Sequence, residues 1–209
     1  MVRIIKASFE IEDFDGEQML KNIEKAGRTC YKSEDKITDD SANKFVHMLI
    51  HERKHESVIE HEKVTVRFIF DRSISHELVR HRIGSYSQES TRFCNYAKDK
   101  FGNEISVIDI GPHFTNPNSF NLWFHHMVEC EGVYLQLLEN GEKPEIARSV
   151  LPNSLKTEIV ATFNLREWRL VFKQRTSPKA HPQMREVMVP LLVEMKKRLP
   201  VVFDDIGVE

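Results

Sequence analysis

No apolar run in this chain approaches the ~20 residues that a membrane-spanning helix needs. The N-terminal stretch MVRIIKASFEIED also lacks the long apolar segment of a secretory signal. Cysteine is scarce: Cys30, Cys94 and Cys130 are three in number and widely scattered. Such a set suggests neither a disulfide framework nor a Cys-x-x-Cys metal site, and a reducing cytoplasm is the expected compartment. An excess of one charge is missing too. Lys and Arg number 30 against 32 Asp and Glu, a formal net charge of −2, so a general nucleic-acid binder with a strongly basic surface is not expected. The GxGxxG fingerprint of a Rossmann dinucleotide cradle is absent, as are internal repeats and low-complexity linkers. Any anion site must therefore come from a local concentration of positive charge.

The chain has 209 residues, 40% of them hydrophobic and 30% charged. That length and balance suit one soluble domain with a sizeable core, taken as residues 1–209. Residues 2–12 read as a first strand. A helix follows Asp15, with Met19, Leu20, Ile23 and Ala26 on one face at helical spacing. The polar stretch KSEDKITDDS leads to a second helix capped near Asp39 to Ser41, with Phe45, Val46, Leu49 and Ile50 as its apolar face. KVTVRFIF alternates at Val64, Val66, Phe68 and Phe70, the pattern of a half-buried strand. A short helix carrying Ile74, Leu78 and Val79 comes next. The segment IGSYSQESTRFCNY, without steady periodicity, reads as a loop.

Downstream, EISVIDI predicts a strand ended by Gly111-Pro112. A long helix from about Asn118 to Asn140 offers Phe120, Trp123, Phe124, Met127 and Leu137 for packing. Pro144 starts a short helix, TEIVATF is a strand, and Asn164 caps a helix through Arg175. Pro182 opens the last helix, with Pro190 as a kink point. Few strands, spread between helices and at least one of them alternating, predict an α+β fold: a mixed or antiparallel sheet flanked by helices, with a long-helix layer.

The densest polar constellation is Arg80-His81-Arg82, followed by Ser85, Ser87, Gln88, Ser90 and Arg92. The triplet ends the short helix and the rest lies on the loop, where side chains and backbone can face a ligand. Two arginines flanking a histidine disfavour protonating the imidazole. Guanidinium forks match phosphate oxygens in bidentate fashion. Hydroxyls and an amide interleaved with arginines suit a nucleotide's phosphate, sugar and base edge. The same residues fit a solvated charged helix end beside a polar loop, and chemistry alone leaves both readings open.

The spacing is more specific. RHRIGSYSQES carries Arg-His-Arg, seven residues, then Ser90, with Thr91-Arg92 extending it. This resembles the signature of the flavin-dependent thymidylate synthases. His55-Glu56-Ser57 with Glu60-His61 ahead of a strand, ARSVLP at 147–152 with Arg148, and Asn164-Leu165-Arg166 with Arg175 on the same helix resemble further blocks of that family. Four matching blocks in the right order span roughly residues 55 to 175.

The resemblance implies a cytoplasmic homotetramer with active sites at subunit interfaces, binding neither metal, nucleic acid nor membrane. It implies reductive methylation of deoxyuridine monophosphate (dUMP) to dTMP, with NADPH reducing FAD and 5,10-methylenetetrahydrofolate supplying the carbon. Ser57, Arg80, His81, Arg82, Gln88, Asn164 and Arg166 would contact FAD. Glu77, Arg80, Gln88, Ser90, Arg92, Arg148 and Arg175 would surround dUMP, and His55 would lie near flavin and folate. Making C5 of uracil nucleophilic develops negative charge on the ring, which a positioned guanidinium stabilises. Arg175 is the candidate for that catalytic role, while Arg92 and Arg148 suit the phosphate.

Ser90 reads as a hydrogen-bonding ligand, because the motif supplies no acid partner for a nucleophilic triad. None of the three cysteines has a recognisable nucleophile's setting; Cys94 is merely close to the motif. Two positions depart from the family pattern. Leu170 stands where relatives often place an amide or histidine. TSPKAHPQMR is longer and more proline-rich than in many relatives, so His181 is assigned no role.

Two other readings compete. His51-Glu52-Arg53-Lys54-His55 is a literal zinc-metallopeptidase motif. It lies at the charged end of its helix, and no third ligand is obvious downstream. A small RNA-binding or regulatory module could use the arginines of 80–92 as a phosphate clamp. Near-neutral charge and the lack of a clustered aromatic platform argue against that.

Overall fold

The structure, a computed structural model, describes residues 1–207. Its strands are β1 (Arg3–Ile5), β2 (Ser8–Ile11), β3 (Lys63–Asp71), β4 (Ser85–Gln88), β5 (Ser106–Ile108) and β6 (Lys156–Asn164). Its α-helices are α1 (Gly16–Tyr31), α2 (Ser41–His47), α3 (Arg72–Leu78), α4 (Pro117–Glu139), α5 (Pro144–Ala147), α6 (Leu165–Arg175), α7 (Pro182–Arg198) and α8 (Pro200–Phe203). β2-β3-β6-β4 is the order of a four-stranded antiparallel sheet, and β1 and β5 form a separate parallel pair. The expected α+β class is thus what the chain adopts. No helix among the described residues is long and apolar enough to cross a membrane.

The chain forms two compact units built from separated stretches. The first holds Met1–Ser8, Phe68–Arg80 and Ser87–Val160. Val2, Tyr96, Ile105, Val107, Met127, Tyr134, Ala147 and Leu155 make its core. β1 and β5 pair in the register Ile4↔Val107, and Val107 also bridges antiparallel to Leu155. Met127 and Tyr134, seven residues apart and so on one face of α4, drive that helix onto this core. Phe120, Trp123, Phe124 and Leu137 are only half-buried.

The second unit holds Phe9–Arg67, His81–Tyr86 and the chain from Ala161 onward. A chain of rings runs through it: Phe163 to Trp168 at 4.8 Å, Trp168 to Phe172 at 5.2 Å, and Phe172 to Phe203 at 5.7 Å. The buried indole keeps its polar atom satisfied, because Trp168 Nε1 donates to the Val64 carbonyl at 3.0 Å. Phe45, Val46, Leu49 and Ile50 are all buried as their spacing predicts. Asp15 and Asn164 cap α1 and α6, accepting from the N–H groups of Gln18 and Glu167.

Four expectations need correction. The single strand over 2–12 is two, because β1 finds its partner in β5 while β2 joins the four-stranded sheet. The loop over 83–96 contains β4, an edge strand of polar residues with neither face fully buried. Its pairing comes from the backbone, so no apolar alternation announces it. The helix starting at Ser41 widens into a π-helical turn over Met48–Glu52. α7 runs through Pro190 to Arg198 and is not the last helix, since α8 follows it.

Gly84 shows how the second unit holds its motif segment. A Cβ there would lie 2.4 Å from Cδ1 of Phe163, a ring that is itself buried, and 3.1 Å from the Thr162 carbonyl oxygen. Only the absence of a side chain lets the His81–Tyr86 segment lie against that ring. Gly84→Ala should therefore destabilise the fold by about 1–3 kcal/mol through overpacking. A lowered urea midpoint at unchanged m-value checks it; an unchanged midpoint would show that the segment can lift away freely.

Candidate active site

In the first unit, Asp71 ends β3 and caps α3 by accepting from the Ile74 N–H at 2.9 Å. α3 leads to Glu77 on its last turn and to Arg80 just beyond it. The Arg80 guanidinium is exposed and has no hydrogen-bond or ion-pair partner among the described residues. Gln88 on β4 is held firmly: its Nε2 donates to Ser75 Oγ at 2.9 Å and to Thr157 Oγ1 at 3.1 Å, both fully buried hydroxyls. With both amide hydrogens engaged, its carbonyl oxygen keeps acceptor capacity.

Beyond β4 the backbone turns sharply at Ser90. The Ser90 carbonyl accepts from the N–H groups of Phe93 and Cys94, and Ser90 Oγ accepts from the Arg92 N–H at 3.3 Å. This turn brings Arg92 beside the start of α5, with Nε 3.3 Å from Glu145. One turn later Arg148 returns the contact, donating through Nη1 to Thr91 Oγ1 at 3.4 Å. Ser90, Arg92 and Arg148 are thus brought together from segments more than fifty residues apart. The Arg92 and Glu145 side chains are 59% and 40% exposed, so their ion pair is weak and easily exchanged for a ligand anion.

In the second unit, His81 is buried against the edge of Phe163 at a ring separation of 6.3 Å. The Tyr86 hydroxyl donates to the His81 carbonyl at 2.5 Å, and burial raises its pKa to about 12, so it remains a donor. Arg175, on the last turn of α6, donates through Nε to His81 Nε2 at 3.0 Å. On the other side of the ring, Nδ1 faces the Glu167 carboxylate at 3.4 Å. Burial first and the Arg175 charge second hold the His81 pKa down to about 4. Burial also raises the pKa of Glu167. The imidazole is neutral as the motif suggests, yet the flanking arginines are not the cause. Arg82 is exposed, and like Arg80 it has no partner among the described residues.

A cleft of about 480 Å³ in this unit is lined by Asn164, Arg166, Ile83 and Leu170 with Glu56 and Glu60. Arg166 reaches Glu60 at 2.5 Å. Ser57 is exposed on a 3₁₀ turn over Glu56–His61. His55 precedes that turn, with Nδ1 3.1 Å from the Tyr31 hydroxyl. His181 is the exposed residue ahead of α7.

The zinc motif fails on geometry. His51 lies on the π-helical turn and its Nε2 is bonded to the Val201 carbonyl at 2.7 Å, while His55 lies past the end of that turn. The regular i, i+4 helical face that two histidine ligands require is therefore not formed.

Glu167 and Arg169 are the residues that sequence reasoning missed. Glu167, three residues after a helix cap, looks like an ordinary exposed first-turn glutamate, and its burial beside His81 leaves no sequence signal. Arg169 is buried, with two bonds of 2.7 Å to Asp205, one of 3.2 Å to Glu56, and one to the Val202 carbonyl. It ties α6 to α8.

Clustered arginines beside an amide-bearing edge strand on an α+β fold are features of an enzyme that handles a small anionic substrate, and they offer no peptidase site. Residues 14–201 match the sequence family described as thymidylate synthase complementing protein. The chain is 33% identical to the flavin-dependent thymidylate synthase of Corynebacterium glutamicum, over 94% of this chain and 82% of that one. It is 32% identical to the enzyme of the same name from Geobacter sulfurreducens, over 87% and 79%. The chain belongs to the flavin-dependent thymidylate synthase family, and it is a methyltransferase. Its fold is shared with a solved UMP/dUMP methylase, PolB from Streptomyces cacaoi bound with 5-Br dUMP, at a TM-score of 0.78 and 21% identity over 97% of this chain and 95% of that one.

The low pKa of His81 has a consequence for stability. The unfolded chain takes up a proton near the usual imidazole pKa, while the folded chain resists until about pH 4. Stability therefore falls with pH across that window, and this one group should remove roughly 2 kcal/mol between about pH 7 and about pH 5. Urea unfolding of wild type and His81→Asn at both values checks it. The variant should show the shallower dependence, and parallel curves would refute the assignment.

Proposed function

We propose that this chain catalyses the reductive methylation of dUMP to dTMP, with FAD, NADPH and 5,10-methylenetetrahydrofolate as its redox and one-carbon partners. The observation that carries this reading is the meeting of Ser90, Arg92 and Arg148 in a chain of this family. Two guanidinium groups and a hydroxyl on a tight turn form a phosphate site of the type a nucleoside monophosphate needs. Gln88 would present its carbonyl oxygen to the N3–H of uracil. Glu77 and Arg80 would complete the surroundings of the nucleotide.

The second unit's cleft suits a flavin. Ile83 and Leu170 expose apolar surface for a flat ring, and Arg166 offers donors for phosphate or ring-edge oxygens. Asn164 would add its amide N–H groups, since only its oxygen is used in capping α6. Ser57, Arg80, His81, Arg82, Gln88, Asn164 and Arg166 would hold FAD, with His55 near flavin and folate. Reduced flavin, when bound, supplies the hydride that completes the methyl group, and NADPH restores it. The chain's own part is electrostatic and positional. Arg175 stabilises the negative charge that grows on the pyrimidine as C5 becomes nucleophilic, from a fixed position needing no reorganisation. Leu122, Val128 and Val133 stand exposed along α4, apolar surface that suits burial between copies in a homotetramer with interfacial active sites.

Purified protein should carry a flavin spectrum, form a tetramer by light scattering, and convert dUMP to dTMP. Arg175→Ala should lose about 10²–10³ in turnover, the scale for one preorganised donor. Flavin reduction by NADPH should be spared, since it needs no activated pyrimidine. A colourless protein that FAD does not reconstitute sinks the reading, and equal slowing of both half-reactions would make Arg175 structural.

Arg92→Ala and Arg148→Ala should each weaken dUMP binding by about 1.5–3 kcal/mol, as loss of a charge-assisted bond requires. Both arginines are exposed, so the fold should survive. Titration of the oxidised enzyme reads the effect, and unchanged affinity in both variants would put the phosphate elsewhere.

A further inference from the structure

A neutral imidazole has one donor nitrogen and one acceptor nitrogen, and neighbours decide which is which. In His81, Nε2 receives the Nε–H of Arg175 at 3.0 Å and must therefore be the bare acceptor. The single proton then lies on Nδ1, which faces the Glu167 carboxylate at 3.4 Å. Both side chains are almost fully buried, with 5% and 7% exposure, so the carboxylate is the group that faces Nδ1. The opposite tautomer would point an N–H at an N–H, breaking the bond to Arg175 and leaving a buried donor facing a cation.

We propose that Glu167 is a positioning residue: facing Nδ1 of His81, it holds the ring in the tautomer whose Nε2 accepts from Arg175, and so fixes the guanidinium of Arg175 for the reaction. The relay runs from the first turn of α6 to its last turn, so one helix carries both ends and the imidazole closes the loop between them. Backbone placement supports it. The Tyr86 hydroxyl holds the His81 carbonyl, and the ring lies against the edge of Phe163, so the backbone and one side of the imidazole are held in place. Burying a carboxyl is unfavourable unless it is paired. Facing Nδ1 of His81 gives the buried Glu167 carboxyl a polar neighbour.

The assignment of a catalytic effect rests on the function proposed above, but the tautomer does not. Histidine labelled with nitrogen-15 reports the tautomer by NMR, with His81 identified by the signals that His81→Asn loses. Wild type should show a protonated Nδ1 and a bare Nε2. Glu167→Met keeps the side-chain volume and removes the acceptor, and Glu167→Ala serves as a second variant; both should weaken the preference, so that a measurable share of the rings carries its proton on Nε2. Thymidylate formation in a single turnover should slow about 10–100-fold in Glu167→Met, the scale for losing the outer partner of an orienting histidine. The dUMP dissociation constant should change little.

In an Arg175→Ala background the same substitution should add almost nothing, because there is no guanidinium left to place. A merely structural glutamate would slow both backgrounds equally, and that result overturns the proposal. So does a wild-type His81 that carries its proton on Nε2. If wild type forms no thymidylate at all, the proposed function fails, while the NMR result still decides whether Glu167 sets the tautomer.

Discussion

Arg175 donates through Nε to a histidine nitrogen that can accept only while the ring is uncharged. Protonating His81 would put two cations face to face and remove the lone pair that the bond uses. The second unit is arranged so that this does not happen at ordinary pH. Phe163 and its neighbours bury the ring, and Gly84 lets the segment that carries it lie flat against them. An arginine held through Nε keeps its two terminal nitrogens in one plane and one direction. A guanidinium held in that way is already oriented before a substrate arrives, the condition under which electrostatic stabilisation is most effective.

The first unit solves the opposite problem. The phosphate site proposed there would need guanidinium groups that can leave their protein partners. Arg92 and Glu145 are largely exposed, and Arg148 makes one long contact to a hydroxyl, so both arginines exchange partners at little cost. What is rigid there is the scaffold around them: Gln88 pinned between two buried hydroxyls, and the Ser90 turn closed by its own backbone. The half-buried ion pair of Glu89 and Lys156, at 2.6 Å, with the Tyr96 hydroxyl on the same carboxylate, anchors the strand just before that turn. Rigid backbone with loose charges is the arrangement that the proposed site would need to take up an anion without refolding.

Much of this was legible from residues in order. The alternation of Val64, Val66, Phe68 and Phe70, the cap at Asn164, and the spacing of Arg80-His81-Arg82 to Ser90 are enough to locate β3, α6 and the motif. Local rules suffice there, because helix caps and strand alternation depend on neighbours within a few residues. β4 was not legible. It is an edge strand with polar side chains, and its identity as a strand lies in pairing with β6 some seventy residues away. The division of residues 2–12 into two strands has the same origin, since β1 and β2 differ only in the partner each meets.

The sequence by itself determined the family and the chemistry on offer: arginines, hydroxyls and an amide at fixed intervals, and no surplus charge or cysteine to suggest another use. It determined that His81 should be neutral, though it pointed to the flanking arginines as the reason. Tertiary structure supplied the actual cause, which is burial and the approach of Arg175 from the far end of another helix. It alone revealed Glu167 and Arg169, which look like ordinary charged residues on a helix until packing buries them. Periodicity records which face of an element is apolar, but a charged residue inside that face is visible only when its partner, distant in sequence, is brought beside it.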